Sequence, residues 1–304
     1  MYNLPTVSVI LPTHNRAHLL VRSINSVLNQ TFADLECIIV DDASIDNTPN
    51  VVADFVRRDV RVRCYRHVEG RHASGARNSG LNMARGRYIA YHDDDDEWLP
   101  TKLEKQLSLF ERLPADYGCV YCWADYHASD SSVIRRHRPS LRGDVFSKTL
   151  VDNAIGCTPS LLLRREAAEK VGIWNESLLI ENDNEYIIRL CRICKVDYVP
   201  EVMVKIHTKH GGPQVSMPIS NDSIQRSLHA IKTRYELFRG ERREYRKQAA
   251  ALEARIANLH GRLGDRRACA RHFAEAFKLA PVSWEPYHMI LSLIKWRLMA
   301  KSSK

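Results

Sequence analysis

The 304-residue sequence contains no uninterrupted apolar run of about 18 residues, the length that would predict a membrane-spanning helix. Its first residues also lack the layout of a secretory signal peptide. No glycine-rich G-x-G-x-x-G segment follows the first apolar run, which excludes a dinucleotide-dependent dehydrogenase. We therefore expect a cytoplasmic protein that is not a hydride-transferring dehydrogenase.

The charge of the chain is unevenly distributed. The formal net charge is +9, which is compatible with nucleic acid, an anionic membrane surface or a phosphorylated substrate. Much of the basic excess lies between residues 226 and 271. The charge is therefore a property of the C-terminal part of the chain, and we expect no nucleic-acid partner.

Eight cysteines include two C-x-x-C pairs, Cys119 with Cys122 and Cys191 with Cys194. Two such pairs are typical of a zinc site, but the gap between them is far longer than in zinc fingers. The first pair lies in a strand-like run, where positions i and i+3 point to opposite faces. We interpret these cysteines as buried, reduced thiols in a reducing cytoplasm.

Short apolar runs alternate with segments of helical spacing through the first hundred residues. This order, with short connections, predicts a parallel sheet covered by helices. Ligands bind such sheets at the carboxyl ends of the strands, where three polar clusters of this sequence lie. Strands are predicted at 7–11, 35–40, 60–66 and 87–91, helices at 19–29, 48–57 and 74–85, and the polar clusters at 12–13, 41–42 and 93–96.

The pattern changes along the rest of the chain. A helix at 102–112, strands at 119–126 and 160–163, a helix at 184–194 and a strand at 202–206 are predicted. From residue 223 only helical spacing remains, with one long helix or two over 223–259. Gly264, Phe273, Ala276 and Pro281 match the second half of a tetratricopeptide-like repeat, with Cys269 at a small-residue position, and predict a helical hairpin.

Four consecutive aspartates, 93–96, directly follow the strand-like run at 87–91. Like charges this close repel, so some pKa values rise unless a cation lies among them. Mg²⁺ and Mn²⁺ prefer carboxylate and phosphate oxygens, so a metal ion that bridges a nucleotide diphosphate would resolve the conflict. The alternative is a solvated acidic turn that caps the helix starting near Pro100.

These segments together resemble the family 2 glycosyltransferases, which are inverting, nucleotide-sugar-dependent enzymes of the GT-A fold. The matching pieces are 7–16 (VSVILPTHNR), 39–44 (IVDDAS), 75–81 (GARNSGL), 86–96 (GRYIAYHDDDD) and 98–100 (WLP). Their order and spacing match over roughly the first 110 residues, and less sharply to about 217. The resemblance implies an α/β fold with a Rossmann-like, mostly parallel sheet and helices on both faces, followed by an all-α C-terminal region.

The domain organisation follows from this match. We expect a glycosyltransferase domain over 1–217, with a nucleotide-binding half at 1–100 and an acceptor half at 101–217. A helical extension with the tetratricopeptide-like hairpin is expected over 218–304.

The resemblance also implies the residues that bind the donor. Pro12, Thr13 and His14 correspond to the loop that lines the nucleotide base, and Asp42 corresponds to the carboxylate that accepts a hydrogen bond from the base. Arg77 opens a helix, where a cation and free backbone N–H groups suit a diphosphate. The alternative for Arg77 is a surface salt bridge.

The D-x-D signature of the family maps on Asp93, Asp94 and Asp95. Asp93 would face the ribose or the donor sugar, Asp94 would belong to the nucleotide-binding residues, and Asp95 would coordinate Mn²⁺ or Mg²⁺. This chain departs from the family by carrying aspartate at the middle position too. The register could therefore shift by one, which would make Asp94 and Asp96 the working pair.

Inverting transfer needs a general base on the acceptor side. The acidic segment 181–190 resembles the start of the family's acceptor-side helix, and Asp183 falls on the base position, with Glu181 and Glu185 as alternatives. Asp183 could instead cap the helix. His207 and His210 precede two glycines, and we assign His210 to the metal or diphosphate.

The function implied is metal-dependent, inverting transfer of a sugar from a nucleoside-diphosphate donor, UDP by preference, to a hydroxyl of a glycan or lipid-linked acceptor in cell-surface glycan synthesis. One alternative is a catalytically silent scaffold. Another is a sugar nucleotidyltransferase, which would carry a G-x-G-T-R-like loop after the first strand. The basic amphipathic segment 284–301 either lies on the inner face of a membrane or docks on protein. The sequence is also compatible with a homo-oligomer.

Overall fold

The computed structural model describes residues 4–152, 154–208 and 220–302, and the side chains as far as 295. The chain divides into two compact units. The first comprises Met1–Val145, Asn153–Leu179 and Arg189–Gly212, and the second comprises Phe146–Asp152, Ile180–Ile188 and Pro213–Lys304. The predicted boundary at 217/218 lies outside the described residues, and the division into domains stays a prediction.

One nine-stranded sheet forms the centre of the first unit. Its strands are β1 (Val7–Thr13), β2 (Leu35–Asp41), β3 (Val62–Arg66), β4 (Tyr88–Tyr91), β5 (Glu97–Trp98), β6 (Tyr117–His127), β7 (Val133–His137), β8 (Leu162–Arg164) and β9 (Lys195–His207). The order is β3-β2-β1-β4-β8-β6-β9-β5, with β7 on β6. The first four strands are parallel, as predicted, whereas β8 and β5 run antiparallel to their neighbours.

The helices are distributed over both units. They are α1 (Ala17–Leu28), α2 (Thr48–Arg58), α3 (His72–Met83), α4 (Lys102–Phe110), α5 (Phe146–Thr149), α6 (Arg165–Val171), α7 (Asn182–Ile193), α8 (Asn221–Glu236), α9 (Arg246–Arg262), α10 (Arg266–Leu279) and α11 (Trp284–Ser302). No helix in the described ranges is long and apolar enough to cross a membrane.

Helices cover both faces of the parallel part of the sheet, because alternate strand residues point to opposite sides. Val9 and Leu11 belong to the core cluster that includes residues of α1, α2 and α4. On the other face, Ile38 packs with Ala76 of α3. Gly80 permits the close approach of α3, since a Cβ there would lie 2.4 Å from the Cγ2 of Ile10. The α/β fold class is thereby confirmed.

The structure differs from the predicted elements at β9 and at four short elements that were not predicted, β5, β7, α5 and α6. β9 begins at Lys195 and not near residue 202, because it pairs with β6 from Tyr117 to His127. β7 was not predicted, since four of its five residues are exposed and carry no alternating apolar signal. The short α6 was also missed.

The second unit is helical in its described part. Its core cluster draws on α5, α7, α8 and α9, and includes Leu150, Ile188, Tyr235 and Leu252. The segment predicted as one helix or two forms α8 and α9, separated by a 3₁₀ turn. The predicted hairpin is present as α9 and α10, which are joined at Gly264 with φ of +84°. The all-α C-terminal region is thereby confirmed.

The cysteines of the two C-x-x-C motifs lie mostly in the interior of the protein. Cys119, Cys122 and Cys191 are buried, Cys194 is half-buried, and the four form no disulfide. Burial raises the pKa of Cys122 to about 12 and that of Cys119 well above its usual range, so these thiols stay protonated. Three of these four cysteines are therefore buried, as the sequence predicts, and their reduced state stays a prediction.

Candidate active site at the carboxyl edge of the sheet

The ends of β1 and β2 meet at the predicted nucleotide loop. Thr13 and Asp41 are register partners, and the backbone N–H of Asp42 donates to the carbonyl of Thr13 at 2.8 Å. The ring Nδ1 of His14 donates to the carbonyl of Asp42 at 2.6 Å. Pro12, Thr13, His14 and Asp42, which the sequence places in two separate segments, therefore lie together at one edge of the sheet.

The two acids after β2 have different partners. Asp42 is buried, and its Oδ1 lies 2.6 Å from His67 Nδ1 and 2.8 Å from the backbone N of Arg71. Asp41 is also buried, and its Oδ2 lies 3.2 Å from Arg66 Nε. The carboxylate predicted to receive the base is thus oriented by residues of the β3–α3 connection.

The run of four aspartates follows β4, and its members alternate in burial. The side chains of Asp93 and Asp95 are 31% and 20% exposed, whereas that of Asp94 is 9% exposed and Asp96 is 3% exposed as a residue. Burial raises the pKa of Asp94 to about 7. Burial and the neighbouring carboxylates also raise the pKa of Asp96 well above its usual range.

Arginines from α1 and the residue before it face this run. Arg16 Nη1 lies 3.0 Å from Asp94 Oδ1 and 2.5 Å from Asp95 Oδ2. Arg22 Nη2 donates to the carbonyl of Asp95 at 2.5 Å. Two cations therefore offset part of the negative charge of the aspartates.

Arg77 pairs with the first aspartate of the run. Its Nη2 lies 2.9 Å from Asp93 Oδ1, and its guanidinium stacks over the ring of Trp174 at 4.6 Å from the centroid. Asn78 fixes Trp174 by two hydrogen bonds to its backbone N and O, at 2.7 and 3.0 Å. Arg77 is buried, so the alternative of a surface salt bridge is wrong. The prediction that Arg77 opens the helix is also wrong, because α3 already begins at His72.

The donor set at the aspartate run fits a hard divalent cation in its chemistry, since adjacent carboxylates repel one another and gain from a cation among them. Within the described residues, however, no group of three or more His, Cys, Asp or Glu side chains is placed to hold a metal ion. Asp95, with Asp93 beside it, would thus supply part of a coordination shell, and phosphate oxygens of a ligand would supply the rest.

Two histidines, His207 and His210, follow or end β9 and were considered for the metal or diphosphate. The backbone N–H of His207 donates to Asp96 Oδ1 at 3.1 Å, and its Nε2 lies 3.6 Å from Glu97 Oε2. Burial lowers the pKa of His207 to about 4, and Arg22 contributes to this shift. His210, to which the sequence assigns the metal or diphosphate, lies outside the described residues.

The predicted base belongs to the second unit, whereas the other described site residues belong to the first. Asp183 lies in the first turn of α7, is half-buried, and its Oδ1 accepts the backbone N–H of Asn184 at 2.8 Å. Of the alternatives, Glu181 pairs with the buried Arg234 at 2.5 Å, and Glu185 is 3% exposed.

Several residues of the site were not assigned a role from the sequence. Arg16 stands in the segment 7–16, but its pairing with the aspartates has no local signal, because 78 or more residues separate the partners. His67, Arg22 and Trp174 carry no motif signal either. Their roles follow only from the way in which strands and helices converge at this edge.

The fold and the site define an α/β protein of the GT-A class. The family model for "Glycosyl transferase family 2" matches residues 8–172, more than half of the chain. The chain therefore belongs to glycosyltransferase family 2, as the sequence motifs predict.

Relatives and solved structures agree with this assignment. The UDP-Glc:alpha-D-GlcNAc-diphosphoundecaprenol beta-1,3-glucosyltransferase WfgD of Escherichia coli is 34% identical over 158 residues, 52% of this chain and 60% of that protein. TarS 1–349 of S. aureus, solved with UDP-GlcNAc, has a TM-score of 0.62 at 14% identity over 90% of this chain and 91% of its own. The mannosyltransferase PcManGT from Pyrobaculum calidifontis, solved with GDP-Man and Mn²⁺, has a TM-score of 0.57 at 19% identity over 98% of this chain and 81% of its own.

The two solved structures show a shared fold. The chain spans 60–65% of the length of the first four curated relatives that it matches.

Proposed function

We propose that the protein is a metal-dependent, inverting glycosyltransferase that moves a sugar from a UDP-linked donor to an acceptor hydroxyl in cell-surface glycan synthesis. The observation that carries the proposal is the meeting of three polar clusters at the carboxyl edge of β1, β2 and β4. This edge combines accessible carboxylates with arginines, and a nucleoside diphosphate with its metal ion needs both.

The donor would bind across this edge. Pro12, Thr13 and His14 would line the base, and Asp42 would accept its N–H. Arg77, which stacks on Trp174 and pairs with Asp93, is buried and oriented before any ligand arrives, so it would meet the diphosphate with little loss of side-chain entropy. A UDP-linked donor is supported by the name of the Escherichia coli relative, whose donor is UDP-Glc.

Asp93 and Asp95 are our choice for the working pair of the D-x-D signature. The support is their exposure of 31% and 20%, since a metal ion and a ligand reach these carboxylates before the buried Asp94 and Asp96. Asp94, packed behind them, would shape the nucleotide site. His210 would contact the metal ion or the diphosphate. When bound, Mg²⁺ or Mn²⁺ would neutralise charge on the departing diphosphate.

Asp183 is the proposed general base. It is half-buried and lies in the first turn of α7. Glu181 already pairs with Arg234, and Glu185 is almost fully buried, so both are less accessible to an acceptor. Asp183 would take the proton of the acceptor hydroxyl, which attacks from the face opposite the leaving group and inverts the anomeric centre.

A lipid-linked acceptor is proposed because the Escherichia coli relative acts on a diphosphoundecaprenol. Such an acceptor places the enzyme at a membrane, and we commit α11 to that contact. Its residues Trp284, Tyr287, Leu291 and Ile294 follow helical spacing and are 67%, 45%, 54% and 50% exposed. The basic excess of the C-terminal part complements an anionic surface on the inner face of the membrane.

A screen of nucleotide sugars tests the function. Purified protein is heated with UDP-glucose, UDP-GlcNAc or GDP-mannose, with and without Mn²⁺, and the release of the matching nucleoside diphosphate is then measured with the stabilising donor. A true donor raises the melting temperature by mass action, and Mn²⁺ enlarges the shift. Stabilisation without turnover on any lipid-linked acceptor would favour the silent scaffold. Formation of a nucleotide sugar from UTP and a sugar phosphate would favour the nucleotidyltransferase.

A further inference from the structure

His67 links the predicted base-binding carboxylate to α3. Its side chain is 4% exposed, its Nδ1 lies 2.6 Å from Asp42 Oδ1, and its Nε2 lies 2.8 Å from the hydroxyl of Ser79. The backbone N–H of His67 donates to the carbonyl of Asp41 at 2.9 Å. The imidazole is therefore held at both ring nitrogens, and the backbone of the residue is fixed as well.

This chain of contacts holds in either protonation state of the ring. A carboxylate oxygen only accepts, so Nδ1 carries the proton that faces Asp42. In the neutral ring Nε2 accepts the Ser79 O–H, and in the charged ring it donates to the same oxygen, because a hydroxyl can do both. The Asp42 contact does not depend on the charge of His67.

Both hydrogen bonds to the Asp42 carboxylate fall on the same oxygen. Oδ1 accepts from His67 and from the backbone N–H of Arg71 at 2.8 Å. Oδ2 accepts no hydrogen bond from the described residues. It faces Gly70, where an added Cβ would lie 3.7 Å from it, an ordinary van der Waals distance.

A carboxylate with one open oxygen matches one N–H donor. The uracil ring presents a single imide N–H between two carbonyl groups. Guanine presents two adjacent donors, on N1 and N2, which both oxygens of an open carboxylate would satisfy. Cytosine and adenine present an unprotonated ring nitrogen at the corresponding edge, which a carboxylate repels.

We propose that His67, held by Ser79, is a positioning residue that leaves Asp42 a single open acceptor and thereby makes the site prefer uracil to guanine. The inference rests on the proposed nucleotide-sugar function and names the base of its donor. His67 does not touch the base itself. It acts by keeping Oδ1 occupied and Oδ2 aimed at the ligand.

The test compares the dissociation constants of UDP and GDP, measured by calorimetry at one Mn²⁺ concentration, across four variants. His67→Leu removes the donor to Oδ1, and His67→Asn keeps an N–H near the position of Nδ1. Ser79→Ala removes only the outer contact. His18→Leu, at an exposed position on α1, is the control for replacing a histidine by leucine.

We expect the ratio of GDP to UDP dissociation constants to fall about tenfold in His67→Leu, as for the loss of one hydrogen bond to a charged group. The ratio should stay within about threefold of wild type in His67→Asn, fall by an intermediate factor in Ser79→Ala, and remain unchanged in His18→Leu. A folded His67→Leu protein with the wild-type ratio would overturn the inference. If that variant does not fold, Ser79→Ala decides by the same ratio.

A measurement on the wild-type protein provides a second decision. The ring nitrogen signals of His67 should shift in NMR spectra when UDP is added, and unchanged signals on saturation count against the inference. A wild-type protein that binds GDP more tightly than UDP overturns the inference but leaves a glycosyltransferase function standing. A protein that binds no nucleoside diphosphate overturns the proposed function itself.

Discussion

Arg16 Nη1 lies 2.5 Å from Asp95 Oδ2, and the same nitrogen lies 3.0 Å from Asp94 Oδ1. One guanidinium therefore serves two carboxylates of the aspartate run. The Arg16 side chain is 27% exposed, so the pair borders solvent. A divalent cation at Asp95 would take over part of the charge balance that Arg16 provides.

Replacement of Asp95 by asparagine should abolish most of the Mn²⁺-dependent stabilisation by donor and most of the activity. The unfolding free energy should change by less than about 1 kcal/mol, because the loss of a partly exposed ion pair is offset by reduced repulsion within the run. Asp54→Asn, at an exposed ion pair on α2, is the control. An active Asp95→Asn protein beside an inactive Asp96→Asn protein would transfer the D-x-D signature to Asp94 and Asp96.

Replacement of Asp183 by asparagine should lower turnover by about two to four orders of magnitude while the dissociation constant of the donor barely changes. The reason is that a general base acts on the acceptor proton and not on the nucleotide. Asp222→Asn, in the first turn of α8, tests whether any first-turn carboxylate has this effect. Loss of UDP binding in Asp183→Asn would assign the residue to the donor side.

Replacement of Arg234 by methionine should lower the unfolding free energy by about 3 kcal/mol. The Arg234 side chain is 2% exposed, and it pairs with Glu181 and with the backbone carbonyl of Val151 inside the second unit. Its removal leaves the Glu181 carboxylate without its arginine donor, whereas the Val151 carbonyl keeps a hydrogen bond from Arg255 at 3.1 Å. Urea unfolding measures the change, and Arg239→Met, at an exposed pair with Glu236, should cost less than about 1 kcal/mol. Equal losses of unfolding free energy in the two variants would show that the buried pair stabilises the fold no more than the exposed pair does.

Lys102 gives the fold a measurable dependence on pH. It is fully buried over the ring of Trp98, and burial lowers its pKa from 10.5 to about 8. Between pH 8 and 10.5 the unfolded chain therefore binds a proton that the folded chain has lost, so this residue's contribution to stability rises with pH in that window. The shift corresponds to about 3 kcal/mol.

The difference in unfolding free energy between wild type and Lys102→Met should thus move by up to about 3 kcal/mol in favour of wild type from pH 8 to pH 10.5. Taking the difference cancels the cysteines and tyrosines that titrate in the same range. Lys105→Met is the control for removing a lysine from the same helix. A difference that stays constant across the window would show that Lys102 holds its proton equally in both states.

The double variant Leu291→Asn/Ile294→Asn should weaken binding to anionic vesicles severalfold, and salt should weaken the binding of wild type. Both side chains are about half exposed, so the fold should tolerate the change. Val60→Asn, at a 99% exposed position of the first unit, is the control. If the wild-type protein does not bind vesicles but forms a dimer, and the double variant is a monomer, α11 is a protein interface.

The sequence by itself determined the first four strands, the helices between them and the helical C-terminal part, because buried parallel strands read as short apolar runs and helices carry a period of 3.6 residues. It also determined that the polar residues at 12–14, at 41–42 and at 93–96 follow strands. Parallel pairing then requires that they share one edge. The residues of the family signature could also be predicted from the sequence, since each lies in a short local segment.

Only the tertiary structure decided how those residues are paired. Asp42 and His67 are 25 residues apart, Arg16 and Asp95 are 79 apart, and Glu181 and Arg234 are 53 apart. No periodic pattern connects such partners, because their meeting depends on how strands and helices pack and not on local spacing. The full length of β9 could not be predicted for the same reason, because its extent is set by its pairing with β6.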